Sequence, residues 1–82
     1  MTRTEIFDVV KANIRTVMPR TRGLPIPEST SIRELGGHSL EAVNMLTLSM
    51  AQLGIEVPVE RCLRTSNLAG LLDLLEAELR QR

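Results

Sequence analysis

Apolar residues recur every three or four positions in three separate segments of the chain, and this periodicity most constrains its fold. Such spacing places apolar side chains along one face of a helix, whereas no segment alternates with the two-residue period of a strand. The chain has 82 residues, one cysteine and a single aromatic residue. A bundle packed on aliphatic side chains is the economical fold for such a chain. We therefore predict an all-α fold, a single domain over residues 1–82, built as a four-helix bundle of three longer helices and one short third helix.

The first helix is predicted over residues 2–18 and is followed by a long connection over residues 19–38. Thr2 and Glu5 have capping-box spacing, and Pro19 ends the helix. Its apolar face comprises Ile6, Phe7, Val10, Ile14, Val17 and Met18. A structureless connection of that length would be unusual, so apolar side chains should pin it to the bundle. These are Leu24, Ile26, Ile32 and Leu35, with Ser31 and Glu34 capping a single turn and with Arg20 and Arg22 solvated.

The second helix is predicted over Ser39–Leu53, with Gly54 as its left-handed C-terminal residue and Ile55 folding back onto it. The apolar spacing of this helix comprises Leu40, Val43, Leu46 or Thr47, Met50 and Leu53, and Met50 rather than Met45 is expected in the core. Pro58 indicates a short third helix over Val59–Leu63. Thr65 or Ser66 should cap the last helix, whose apolar face comprises Leu68, Leu71, Leu72, Leu75 and Leu79.

Composition excludes several classes of function. Ten basic and ten acidic residues give a net charge of zero, and the second helix has no basic residue. Neither a nucleic-acid partner nor a helix-turn-helix DNA-binding function is therefore expected. One cysteine and one histidine provide no disulfide and no metal site. The longest apolar run is too short to span a membrane, and acidic residues occupy the N-terminus where a signal peptide would be apolar. We expect a cytoplasmic monomer, with Cys62 as a small buried side chain.

The segment LGGHSL, from Leu35 to Leu40, is the strongest candidate for a functional site. Two glycines allow a backbone approach without side chains, and Ser39 would begin the second helix with an exposed hydroxyl. The positive end of the helix dipole favours a phosphate there. The same residues also fit a plain loop followed by a helix cap. A catalytic serine is disfavoured, because His38 is its sequence neighbour and Glu41 breaks the G-x-S-x-G pattern.

Residues 32–53, IRELGGHSLEAVNMLTLSMAQL, resemble the phosphopantetheine attachment region of carrier proteins, and all six positions of that family's motif match from Leu35 to Leu40. The resemblance extends over roughly residues 4–79 and includes the final TSNLAGLLDLL. It implies a four-helix bundle that is not an enzyme and carries 4′-phosphopantetheine on Ser39, beside Gly37 and His38. The thiol of that group would hold an acyl or aminoacyl unit as a thioester. The implied partners are a phosphopantetheinyl transferase, a loading enzyme and a downstream synthase or synthetase, and the expected partner-contact residues are Leu40, Glu41, Val43, Asn44 and Thr47.

The resemblance also bears on the kind of carrier. Fatty-acid carriers usually have aspartate before the serine and a strongly acidic second helix, whereas this chain has His38. Gly-Gly-His-Ser-Leu is common in peptidyl carriers of nonribosomal peptide synthesis and occurs in polyketide carriers. LTLSMAQLGIEVP resembles donor carriers that hand an acetyl-type unit to an HMG-CoA-synthase-like enzyme of β-branching. Peptide and polyketide chemistry, and an unmodified helical adaptor, remain open. Glu41, Glu56 and Glu60, without basic residues between them, indicate a negative docking region that suits basic rims on partners.

Overall fold

The computed structural model describes residues 1–81, and its regular elements in that range are all helical. Four α-helices follow in order: α1 (Arg3–Val17), α2 (Ser39–Leu53), α3 (Val59–Leu63) and α4 (Leu68–Arg80), with a short 3₁₀ helix at Pro19–Thr21. Helix α1 packs against α2 and α4, and α3 packs against α2. The predicted all-α bundle with a short third helix is confirmed. No helix within residues 1–81 combines the length and apolar character needed to cross a bilayer.

The predicted ends of the first two helices are confirmed. The Thr2 hydroxyl accepts a hydrogen bond from the Glu5 N–H at 3.2 Å, and the Thr2 N–H donates to Glu5 Oε1 at 2.8 Å. Gly54 adopts the left-handed conformation at the end of α2. The Ile55 N–H donates to the Met50 carbonyl at 3.1 Å, and the Ile55 side chain is buried. Local capping rules therefore define these boundaries.

The predicted cap of α4 is wrong. Asn67 is the N-cap residue, and its Oδ1 accepts a hydrogen bond from the Gly70 N–H at 3.0 Å. The Thr65 hydroxyl instead donates to the Cys62 carbonyl at 2.7 Å, and Ser66 is exposed. Three consecutive residues, Thr65, Ser66 and Asn67, can all serve as caps. The residue that does so is the one whose backbone is extended immediately before the helix.

The face of α2 that packs into the core also differs from the prediction. Met45 is 1 % exposed, whereas Met50 is only partly buried and Leu40 is 64 % exposed. The buried face of α2 comprises Ala42, Met45, Leu46, Ser49 and Leu53. Glu41 is the one charged residue of α2, so apolar side chains occur on several sides of the helix. Periodicity alone therefore does not select the face that is buried.

A buried polar cluster that the sequence analysis missed fixes α1 against α2. The Asn13 amide donates to Ser49 Oγ at 2.9 Å and to Gln52 Oε1 at 3.0 Å. Ser49 Oγ in turn lies 3.7 Å from Met45 Sδ. Asn13 and Ser49 are both buried, and a buried amide or hydroxyl without a partner would be costly. The pairing therefore favours one relative position of the two helices.

The connection between α1 and α2 is tied to the bundle, as predicted, but through different contacts. Ile26 is buried, whereas Leu24 is 50 % exposed, so the prediction that Leu24 pins the connection is wrong. The Thr30 carbonyl accepts a hydrogen bond from the Leu68 N–H at 2.8 Å, and the Glu28 carbonyl accepts one from the Ala69 N–H at 2.9 Å. Backbone carbonyls of the connection thus satisfy amide groups in the first turn of α4 that have no acceptor within the helix.

Two further features hold the same connection in place. Ile32 and Leu35 pack against the core as predicted, and Ser31 Oγ accepts a hydrogen bond from the Glu34 N–H at 3.1 Å, which caps the expected turn. The Arg3 guanidinium contacts the carboxylates of Glu28, Asp73 and Glu76. This cluster joins the start of α1, the connection and α4.

Candidate functional site

Ser39 is the first residue of α2, and its side chain is exposed at the start of the helix. Its hydroxyl forms no hydrogen bond within residues 1–81. His38 precedes it as the N-cap residue in an extended conformation. The hydroxyl is therefore accessible, and it lies where the helix dipole is positive.

Gly37 holds the turn before Ser39 against the core. Its N–H donates to the Ile32 carbonyl at 2.8 Å. A Cβ atom at Gly37 would lie 2.4 Å from Ile32 Cγ2 and 3.0 Å from both the Ile32 carbonyl oxygen and Met18 Cε. Because those contacts are shorter than carbon atoms tolerate, only glycine allows this close approach.

An ion pair that the sequence analysis missed fixes the start of α2. The Arg20 guanidinium donates to both carboxylate oxygens of Glu41, at 2.8 and 3.1 Å, and to the Gly36 carbonyl at 2.8 Å. Arg20 is exposed as expected, with 49 % of its side chain accessible, but it also takes part in this pair. The side-chain hydrogen bond from Arg20 lowers the pKa of Glu41, and the His38 N–H adds a further hydrogen bond to that carboxylate at 3.3 Å. The pair joins residues 21 positions apart, so local sequence patterns do not reveal it.

His38 does not provide a catalytic base for Ser39. Its Nε2 lies 3.6 Å from Glu41 Oε1, and its side chain is largely exposed. No hydrogen bond joins the His38 and Ser39 side chains in the described part of the chain. A nucleophilic serine needs such a contact with an oriented base. Among residues 1–81, no group of three or more potential metal-ligating His, Cys, Asp and Glu side chains is present.

A cavity of about 480 Å³ lies beside Ser39 and is bordered by the connection, α2, α3 and the start of α4. Met45 and Cys62 are buried residues of its wall, and Arg33 and Leu63 also line it. Cys62 is the small buried side chain that the sequence predicted, and burial raises the pKa of its thiol. The site is thus an exposed hydroxyl next to a recess and a bare Gly-Gly backbone, an arrangement that has room for a group attached through phosphate.

The predicted site residues divide into two groups. Gly37, His38 and Ser39 come together at the cavity. The remaining predicted residues lie along α2, where Leu40, Asn44 and Thr47 are exposed and Val43 is partly buried. The Glu41 side chain is 15 % exposed, and its carboxylate is already paired. Sequence reasoning missed Arg33 and Leu63. Leu63 is 46 % exposed, and an apolar residue at the exposed end of a five-residue helix is the signal that could have identified it.

Comparison with known proteins identifies the family. A family described as "Phosphopantetheine attachment site" matches residues 8–75. A search of curated proteins found no significant match. Among solved structures, the chain is similar to one from the "Crystal Structure of the Curacin Biosynthetic Pathway HMG Synthase in Complex with Acetyl Donor-ACP", with a TM-score of 0.85 and 22 % identity, covering 94 % of this chain and 99 % of that chain. That likeness supports the fold. Because the family match covers most of the chain, the protein belongs to the phosphopantetheine-binding carriers, which are not enzymes and which carry 4′-phosphopantetheine covalently on a serine.

Proposed function

We propose that Ser39 is the attachment site and that residues 1–82 form a single carrier domain. The observation that supports this most strongly is the exposed Ser39 hydroxyl, free of hydrogen bonds within residues 1–81, at the first residue of α2. The chain's other serines lack that setting. Ser49 is buried and bonded to Asn13, and Ser31 caps a turn. Ser29 and Ser66 are exposed, but neither begins a helix.

The residues around Ser39 fit a phosphate-linked arm. A phosphopantetheinyl transferase would join Ser39 Oγ to the phosphorus of phosphopantetheine from coenzyme A, with loss of the hydroxyl proton and release of the remaining adenosine bisphosphate. The positive end of α2 favours the resulting phosphodiester. The lack of a side chain at Gly37 lets the turn before Ser39 pack closely against Ile32 and Met18, and the pair of Arg20 and Glu41 holds the turn in position. The terminal thiol of the bound arm supplies the thioester chemistry.

We further propose that the carrier works in the cytoplasm as a monomer in secondary metabolism, with an acyl or aminoacyl cargo of polyketide or nonribosomal peptide biosynthesis. Its partners would be a phosphopantetheinyl transferase, a loading enzyme and a downstream synthase or synthetase. The exposed residues Leu40, Asn44 and Thr47, with the partly buried Val43, would contact them. A flexible arm raises the effective concentration of the cargo at each enzyme in turn.

A second candidate is an acetyl donor for an HMG-synthase-type enzyme. It is supported by the near-complete overlap with a chain from the complex of an HMG synthase and an acetyl donor carrier. The test incubates the acetylated holo protein with an HMG-synthase-type enzyme and measures its intact mass. An acetyl donor should lose the acetyl group. Retention of the acetyl group, together with aminoacylation of the holo protein by an adenylating enzyme, would instead favour the peptide pathway.

The attachment site is tested by intact mass after incubation with coenzyme A and a broad-specificity phosphopantetheinyl transferase. Wild-type protein and the Ser66→Ala control should each gain one phosphopantetheine, whereas Ser39→Ala should gain none. His38, not Ser39, is the N-cap residue, and the Ser39 hydroxyl makes no hydrogen bond within residues 1–81. Ser39→Ala therefore removes no cap and should remain folded, as circular dichroism would check. A mass gain on Ser39→Ala would move the site to another residue. No gain on folded wild-type protein would favour the unmodified adaptor.

A further inference from the structure

Helix α2 offers a partner no free carboxylate, although the sequence indicated an acidic docking region. Glu41 is the one charged residue of α2, its carboxylate is paired with Arg20, and its side chain is only 15 % exposed. Glu56 lies after the C-terminal end of α2, beside a separate depression that Met50 also lines. The exposed side of α2 therefore presents leucine, amide and hydroxyl groups instead of carboxylates.

Cations without a partner in residues 1–81 instead lie at the Ser39 cavity and at a second depression that shares a lining residue with it. The side chains of Arg33, Arg61 and Arg64 are exposed and make no hydrogen bond or ion pair with residues 1–81. Arg33 lines the cavity itself. Arg61 and Arg64 line the adjacent depression, and Thr65 lines both recesses. Three guanidinium groups thus lie at these two neighbouring recesses without a partner among residues 1–81.

Two exposed leucines occur in the same region. Leu40 follows Ser39 directly and is 64 % exposed, and Leu63 lines the cavity and is 46 % exposed. Exposed leucines gain from burial in an apolar recess of any protein. The arginines add selectivity, because a guanidinium pairs bidentately with carboxylates and repels other cations.

We propose that the carrier docks through a surface formed by Leu40, Leu63, Arg33, Arg61 and Arg64, and that the enzymes it serves present carboxylates around an apolar recess at the entrance to their pantetheine site. This inference rests on the proposed function, because the surface surrounds the proposed attachment residue. Glu60 of α3 and Glu34, next to Arg33, are exposed carboxylates that reduce the positive charge of this surface. Asp73 also lines the second depression but is paired with Arg3. The three unpaired guanidinium groups still outnumber the two carboxylates. The expected partner is thus opposite in charge to the basic rim that the sequence indicated.

The test compares two phosphopantetheinyl transferases chosen for opposite charge, one acidic and one basic, at the rim of their coenzyme A site. The kcat/KM for wild-type protein should be about tenfold higher with the acid-rimmed enzyme than with the base-rimmed one, and added salt should remove this difference by screening the charges. The double variant Arg61→Glu/Arg64→Glu should lose the tenfold preference through a higher KM with the acid-rimmed enzyme, and Arg33→Glu should lose part of the preference. Arg80→Glu is the matched control, because Arg80 is exposed at the opposite end of α4.

Equal rates with the two enzymes, a preference for the basic rim, or a double variant that behaves like Arg80→Glu would each overturn the proposal. Circular dichroism checks that each variant is folded. If the variant Arg61→Glu/Arg64→Glu does not fold, the neutral variant Arg61→Gln/Arg64→Gln takes its place. Failure of the proposed function gives a different result, since wild-type protein would then gain no mass with either enzyme. That outcome would also overturn the docking role, because no arm would need to be presented there.

Discussion

Replacing Gly37 with alanine tests whether the close approach before Ser39 is essential. The added Cβ would lie 2.4 Å from Ile32 Cγ2 and 3.0 Å from Met18 Cε, whereas carbon atoms pack at about 3.5–4.0 Å. Met18 is fully buried and has little room to move. Ile32 must shift, and its carbonyl is the acceptor of the Gly37 N–H at 2.8 Å. The substitution therefore strains a packed contact and a hydrogen bond together.

The expected loss of unfolding free energy follows from these two effects. Overpacking a core contact costs about 1–3 kcal/mol, and a weakened hydrogen bond adds up to about 1 kcal/mol, so a total of about 1–4 kcal/mol is expected. For a domain of this size each kcal/mol lowers Tm by about 4–8 °C, which predicts a fall of about 4–30 °C. Urea unfolding followed by circular dichroism measures the free energy, and thermal unfolding measures Tm.

The same substitution at Gly70 provides the matched control. Gly70 lies in the first turn of α4, and the nearest atom to its added Cβ is Thr65 Cβ at 3.4 Å, an ordinary contact. Alanine has a higher helix propensity than glycine by up to about 1 kcal/mol, so Gly70→Ala should leave stability unchanged or raise it. A Gly37→Ala variant whose unfolding free energy is within about 0.5 kcal/mol of wild type would refute the steric argument.

Two further substitutions test the polar contacts. Asn13→Ala should lower the unfolding free energy by about 1–3 kcal/mol, because it leaves the buried Ser49 hydroxyl without its donor. Gln52 is exposed, so Gln52→Ala should cost under about 0.5 kcal/mol in the same urea experiment. Equal effects of the two substitutions would contradict the burial argument. Because Arg20 lowers the pKa of Glu41, the stabilisation from this carboxylate is present above the ordinary glutamate pKa of about 4.3 and is lost as pH falls through the lower folded-state value. Urea midpoints of wild type and Glu41→Gln should therefore differ at neutral pH and converge in acid, and a gap that stays constant with pH would disprove the assignment.

Features governed by neighbouring residues were predictable from the sequence. The bounds of α2 and α3 match the prediction, because Gly54 favours the left-handed conformation that ends α2 and Pro58 favours the start of α3. The position of Ser39 at the start of α2 follows from the same local signals. Each of these features depends on contacts within about one helical turn.

Features that depend on distant residues were not predictable. Met45 and Met50 are equally apolar, so the choice of the buried methionine depends on where α1 crosses α2, and Asn13 and Ser49 meet at that crossing. The pairing of Arg20 with Glu41 likewise needs the folded connection. The sequence did not reveal that Glu41 is already paired, because formal charges in a sequence do not show which of them form ion pairs in the fold.

The hydrogen bonds from the connection to α4 make the two segments interdependent. Surface loops normally tolerate insertions at a small entropic cost. Here the carbonyls of Glu28 and Thr30 supply acceptors for Leu68 and Ala69, so an added residue between positions 28 and 30 would break the matching geometry and leave amides at the start of α4 unsatisfied. Residues 22–25 are all exposed and lie before this anchored stretch. Changes in the length of the connection, whether by evolution or by design, should therefore concentrate at residues 22–25, while the anchored stretch keeps a fixed length.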